Sequence, residues 1–218
     1  MNSNELPQTD GINEVATEVV AEPSRKRPKP GERRIQILQA LAEMLENPLG
    51  ERVTTAALAA KIQVSEAALY RHFASKAQMF EGLISFIEQT VFGLINQIVA
   101  REEAGRTQIV ETIMMLLAFA EKNSGMTRVL LGDSLFQEDA RLQERINQVL
   151  DRVEASLKQS FRIMQTQQAT NWTADEISNR SALLMAFVVG RWHRFARSGF
   201  KRSPLEGATP SLNLLLAA

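Results

Sequence analysis

The 218-residue sequence contains no cysteine, so disulfides, thiolate metal sites and a cysteine nucleophile are all excluded. Histidine is nearly as scarce, with only His72 and His193 present. His193 lies among Arg191, Trp192 and Arg194, and no carboxylate stands at helical spacing from it. Neither a Gly-rich phosphate loop nor an H-E-x-x-H pair occurs. Ser198–Lys201 matches S-x-x-K but lacks the S-D-N and K-T-G partners that give that motif its chemistry. Asn171-Trp172-Thr173 matches a glycosylation acceptor, which carries no meaning in a cytosolic chain. An enzyme is therefore unsupported, and neither cofactor nor metal is expected.

Long apolar runs are also lacking. The longest, Ala182–Val189, falls far short of the roughly 18 residues needed to span a bilayer. Residues 1–22 hold five acids, no base and no apolar run, unlike a signal peptide. The expectation is a cytoplasmic chain with no membrane partner.

The formal net charge is zero, but the charge is unevenly placed. Residues 1–22 are acidic throughout. Residues 23–80 hold ten Lys and Arg against five Glu, and residues 81–218 hold fifteen of each sign. A basic segment in an otherwise neutral protein points to an anionic partner for that segment alone.

Helical spacing governs most of what remains. Residues 1–31 show no periodicity and contain Pro7, Pro23, Pro28, Pro30 and Gly31, so they read as a disordered tail, acidic then basic. That tail serves either as a solubilising extension or as an arm along DNA. From Arg33 to Glu46, Ile35, Leu38, Leu41, Ala42 and Leu45 recur at three- and four-residue spacing, and Asn47-Pro48-Leu49-Gly50 ends the helix. Thr54 caps a helix over Thr55–Lys61, and Ser65 caps one over Glu66–His72. Ser75 with Gln78 makes a capping box for a long helix, Lys76–Arg101. Further helices are expected near Thr107–Lys122, Met126–Ser134 and Glu138–Gln167. A Thr173–Glu176 box opens another to Arg197, and Ser211–Leu216 is a short apolar segment. No run alternates with a period of two, so the fold class is all-α.

Thr54–Phe73 carries the chemistry. Ile62-Gln63-Val64 joins two short helices, with Ala56, Ala59 and Ala60 allowing close packing. Leu58, Ile62, Val64 and Leu69 are its small core. A rigid helix pair is what duplex reading requires, because the second helix enters the major groove with its N-terminal residues at the base edges. Thr54, Thr55, Ser65 and Tyr70 offer hydroxyls to phosphates, with Arg33, Arg71, His72 and Lys76 adding cationic or donor groups. Ser65, Glu66, Ala68 and Arg71 lie nearest the bases. The same residues are also open to a plainer reading, with Thr54 and Ser65 as simple caps and Tyr70 as packing.

Val53–Phe80, VTTAALAAKIQVSEAALYRHFASKAQMF, resembles the DNA-binding domain of TetR-type regulators, most specifically over Leu69–Phe80. LISFIE (Leu83–Glu88), FAEKNSGMTRVLLGD (Phe119–Asp133) and RLQERINQVLDRVEASL (Arg141–Leu157) resemble a nucleoid occlusion branch of that family. The likeness covers most of residues 33–200 and leaves out residues 1–30 and the end after Pro204. It implies a three-helix head at residues 32–79 and a helical dimerisation and partner-binding domain at residues 80–218. By the same resemblance, a homodimer binds palindromic double-stranded DNA and opposes assembly of the tubulin-like division GTPase FtsZ, with no small-molecule effector. Phe86, Met115, Ala118, Lys122 and Asn123 would form the FtsZ-facing surface. Leu94 and Lys122 depart from the branch, which has a basic residue and an arginine there.

Two features of the C-terminal region are read from pattern. Ala182–Val189 is apolar on nearly every face, so its helix is expected to be buried all round, a second copy supplying one covering layer. Phe80, Leu83, Ile84, Ile87, Val91, Leu94, Ile95 and Ile98 form the buried stripe of the long helix, with Phe86 off it. The rival function is a ligand-responsive TetR-type repressor, whose mark would be an enclosed apolar cavity between the C-terminal helices.

Overall fold

The computed structural model describes residues 31–47, 53–132 and 139–217. Among them the chain is helical: α1 Glu32–Met44, α2 Thr55–Lys61, α3 Glu66–Tyr70, α4 Lys76–Arg101, α5 Gly105–Lys122, α6 Ser124–Leu130, α7 Ala140–Gln168, α8 Ala174–Arg197 and α9 Ala208–Leu216. The expected tail (apart from Gly31), the Pro48-Leu49-Gly50 stop and the residues Ser134 and Glu138 fall outside the described residues.

Side-chain caps set several of the helix starts. Thr54, Ser65 and Ser75 accept from the N–H groups of Ala57, Ala68 and Gln78 at 3.1, 3.2 and 3.1 Å. The Thr173–Glu176 capping box is complete in both directions. The Ser75 box differs from expectation. Gln78 Oε1 accepts from the N–H of Ala74, one residue before the cap, at 2.9 Å. Other helix starts lie earlier than spacing indicates, α1 at Glu32 and α6 at Ser124 among them, and α6 ends at Leu130. α5 begins at Gly105, where a Cβ would lie 2.4 Å from both Met164 N and Ser160 O, so the glycine permits backbone contact with α7. α9 begins at Ala208 because Pro210 sits in its first turn, where the missing N–H is not needed.

α1, α2 and α3 form a head around Ile37, Leu41, Leu58, Leu69 and Phe73, all buried. Three details differ from the sequence pattern. Ile35 is 48% exposed, and of the three small alanines only Ala59 is buried. Periodicity identifies the inner face but not how far its neighbour extends. α4 starts in the head and runs on into a body built from α5, α7 and α8. By length and composition it could cross a membrane, with an 18-residue window of mean hydropathy 1.4. This corrects the reading that no stretch approaches that length. Its buried face packs instead on α1, α5 and α7.

Along α4 the buried stripe holds as expected except at three positions, the first being Met79, which is also buried. Leu94 is only partly buried. Glu88 is buried and pairs with Arg145 and Arg152 of α7. Between α5, α7 and α8 the interior is occupied by Ile109, Ile113, Leu117, Leu157, Phe161, Leu184, Val188 and Trp192, all buried. Trp192 Nε1 donates to the Leu116 carbonyl at 3.2 Å, tying α8 to α5.

α8 is not buried all round within one chain. Leu184, Met185, Val188, Trp192 and Phe195 face inward, whereas Leu183 is 52% exposed, and Ala182, Ala186 and Gly190 are also exposed. The apolar run comprises two faces, and this chain covers only one of them.

Candidate nucleic-acid interface and an adjoining groove

The α2–turn–α3 unit is held by local chemistry. Gln63 adopts a left-handed conformation, φ 56°, closing the turn that Ile62 and Val64 anchor as half-buried residues. Thr54, Ser65, Glu66, Tyr70, Arg71 and His72 are exposed, while Ala68 and Lys76 are half-buried. Capping does not compete with a phosphate contact at Thr54 or Ser65. The cap uses a lone pair on the hydroxyl oxygen and leaves the O–H proton to donate. Thr55 is different, because its hydroxyl donates to Glu66 Oε2 at 2.6 Å. A phosphate could receive that proton only if the bond were broken.

Arg33 lies along a cleft between α1 and α2 with Gln36, Glu43 and Lys61, and Lys61 pairs with Glu43 at 3.0 Å. The neighbouring Arg34, which spacing did not single out, is the residue that reaches the end of α3. Its Nη1 donates to the His72 carbonyl at 3.0 Å, and its guanidinium stacks 4.1 Å from the Phe73 ring centre. Lys76 Nζ sits 5.8 Å from the Phe80 ring centre.

Beside the head, a groove of about 720 Å³ opens between α1, α4, α5 and α6. Its walls include Gln39, Ala42, Glu43 and Glu46 from the head, Phe86, Thr90 and Leu94 from α4, and Met126 from α6. From α5 come Met115, Ala118, Phe119 and Lys122, with Asn123 at its C-terminal end. All five residues that the resemblance implied for a partner surface therefore share one depression. Leu94 faces the same space, one turn beyond Thr90 and two beyond Phe86. Lys122 is the one cation among the described lining residues, which also include Glu43 and Glu46. Asn123 donates one amide N–H to the Phe119 carbonyl at 2.8 Å.

The groove belongs to both head and body because α6 presses on α1. Arg128 of α6 donates to the carbonyls of Leu45 and Asn47 at 3.3 and 2.5 Å, holding the turn that follows α1. No sequence signal announced these contacts, since both partners are ordinary residues far apart in the chain.

Comparison with known proteins covers both halves. Residues 38–83 match the family described as bacterial regulatory proteins, tetR family. Residues 103–216 match the tetracyclin repressor-like, C-terminal domain of SlmA-like type, so the likeness continues past Pro204 to the last helix. The nucleoid occlusion factor SlmA of Alteromonas mediterranea is 51% identical over 176 residues, covering 80% of this chain and 89% of that protein. SlmA of Aliivibrio fischeri is 47% identical over 191 residues, covering 87% and 97%. Among solved structures, the transcriptional regulator FadR from Bacillus subtilis, in complex with stearoyl-CoA, superposes with a TM-score of 0.69 at 14% identity, covering 84% of this chain and 97% of that one. At that identity the superposition speaks for the fold alone.

Proposed function

The chain belongs to the SlmA-like branch of the TetR family, and on that premise we propose that it is a DNA-bound nucleoid occlusion factor. Its heads bind palindromic chromosomal sites as a homodimer, and it opposes assembly of the FtsZ division ring over the nucleoid. The match of residues 103–216 to the SlmA-like C-terminal domain carries this reading. The head makes a DNA-binding regulator, but the body determines what else it answers to.

The described geometry supports each part. Thr54, Ser65, Tyr70, Arg71, His72 and Lys76 lie on or beside α2 and α3, where phosphate contacts position a reading helix. The uncovered face of α8 around Leu183 supplies an apolar surface for a second copy. Phe86, Met115 and Ala118 give the groove an apolar floor for a peptide segment of FtsZ. The described lining holds two glutamates against one lysine, so burial of apolar side chains, more than charge, carries that contact. Among the described residues, Ile113, Leu117, Leu157, Phe161, Leu184, Val188 and Trp192 occupy the space between α5, α7 and α8 where an effector-gated repressor would need room. On this reading the protein works in the cytoplasm, on the nucleoid.

The test is complementation. In cells deprived of their own nucleoid occlusion factor, expression of this chain restores septa confined to nucleoid-free zones. Septa that still close over nucleoids, with the protein present and DNA-bound, would count against the proposal and favour a repressor of transcription.

A further inference from the structure

Glu66 is the first residue of α3 and is exposed. A carboxylate at the leading end of a reading helix is unfavourable near phosphates unless it accepts hydrogen bonds from a base edge, because its oxygens are acceptors only. Thr55 fixes how that acceptor is presented. Its hydroxyl holds Oε2 at 2.6 Å, and Oε1 has no donor among the described residues.

In the major groove the amino donors are cytosine N4 and adenine N6. Adenine also shows its N7 acceptor beside the amine, which repels a second carboxylate lone pair. Cytosine shows no acceptor there. We propose that Glu66 is a specificity-determining residue that accepts from cytosine N4 in each half-site, with Thr55 as its positioning residue. The inference rests on the DNA-reading function argued above and adds which base the head selects.

Glu66→Gln tests the chemistry with little change of shape. Gln Oε1 keeps the Thr55 proton and the amide NH₂ takes the outward place, so an acceptor becomes a donor. Preference then passes to the acceptor edges of guanine or thymine. A bond that merely braced α2 against α3 predicts something else, with each variant weakening all duplexes alike.

The experiment is selection from randomised duplexes at fixed salt, using the full chain, Glu66→Gln, Thr55→Val and Thr55→Ser. The unaltered chain enriches one cytosine per half-site, Glu66→Gln loses it, Thr55→Val blurs it and Thr55→Ser restores it. Replacing that cytosine by a pyrimidinone lacking the 4-amino group weakens the unaltered chain about fivefold per half-site, the lower end for a base contact. The same replacement leaves Glu66→Gln unaffected. Identical enriched sites for the unaltered chain and Glu66→Gln, or indifference to the missing amine, overturns the inference while leaving DNA reading intact. An unaltered chain that retains no duplex overturns the DNA reading as well.

Discussion

Gly125 lies against Ala42 so closely that a Cβ on the glycine would stand 1.9 Å from the Ala42 carbonyl oxygen. This backbone contact sets the head on the body, and Arg128 reinforces it by holding the turn that follows α1. Gly125→Ala must push α6 away from α1, an overpacking change that costs about 1–3 kcal/mol. The expected result is a lower urea midpoint together with weaker binding to a palindromic duplex, since two heads set at the wrong angle cannot both seat. Unchanged affinity at full dimer occupancy would show that the contact does not set head orientation.

Glu88 clamps α4 to α7 through Arg145 and Arg152, and Arg152 also stacks 4.1 Å from the Phe92 ring centre. The arginine side chains are 33% and 57% exposed, so water can solvate them when the carboxylate is removed. Glu88→Gln is therefore expected to cost about 1–2 kcal/mol, below the roughly 3–5 of a fully buried broken pair. Urea denaturation measures it. A larger loss would show that the cations cannot reach solvent.

Leu183 probes assembly. Because it is 52% exposed in the single chain, Leu183→Glu should leave the helical fold intact. A charge on the uncovered α8 face should prevent a second copy from packing there. Light scattering after size exclusion should give a monomer with unchanged helical circular dichroism. A persistent dimer would place the interface elsewhere.

The Thr173–Glu176 capping box gives a pH dependence. Hydrogen bonding from the Thr173 backbone N–H, then from its side chain, holds the Glu176 carboxyl below its ordinary value of about 4.5. A carboxyl with a depressed folded-state value stabilises fully above its unfolded value and loses that contribution as pH falls through the folded one. The melting-temperature gap between the unaltered chain and Glu176→Gln is thus expected at neutral pH and to close on acidification below about 4.5. A gap constant down to strongly acidic pH would mean the carboxylate charge is irrelevant to the cap.

The head and the long α4 were legible because their signals are local. Thr54, Ser65 and Ser75 each sit beside the helix they cap, and apolar spacing marks the inner faces. α8 was half legible: composition showed an apolar helix, but only packing shows that one face is uncovered. The Gly125–Ala42 contact, the Arg128 hydrogen bonds, the Glu88 clamp and the role of Arg34 were not legible, because each depends on residues brought together by tertiary packing. The five groove residues came from resemblance to relatives. No spacing rule links Phe86 to Asn123 across two helices.

The central claim is tested most directly by sedimenting GTP-assembled FtsZ with this protein, with and without palindromic duplex DNA, beside its Phe86→Ala variant. Polymer should fall with the unaltered chain, fall further when the duplex is present, and recover with Phe86→Ala although that variant still binds the duplex. Polymer mass unchanged by the DNA-bound chain would contradict nucleoid occlusion and leave a TetR-family repressor.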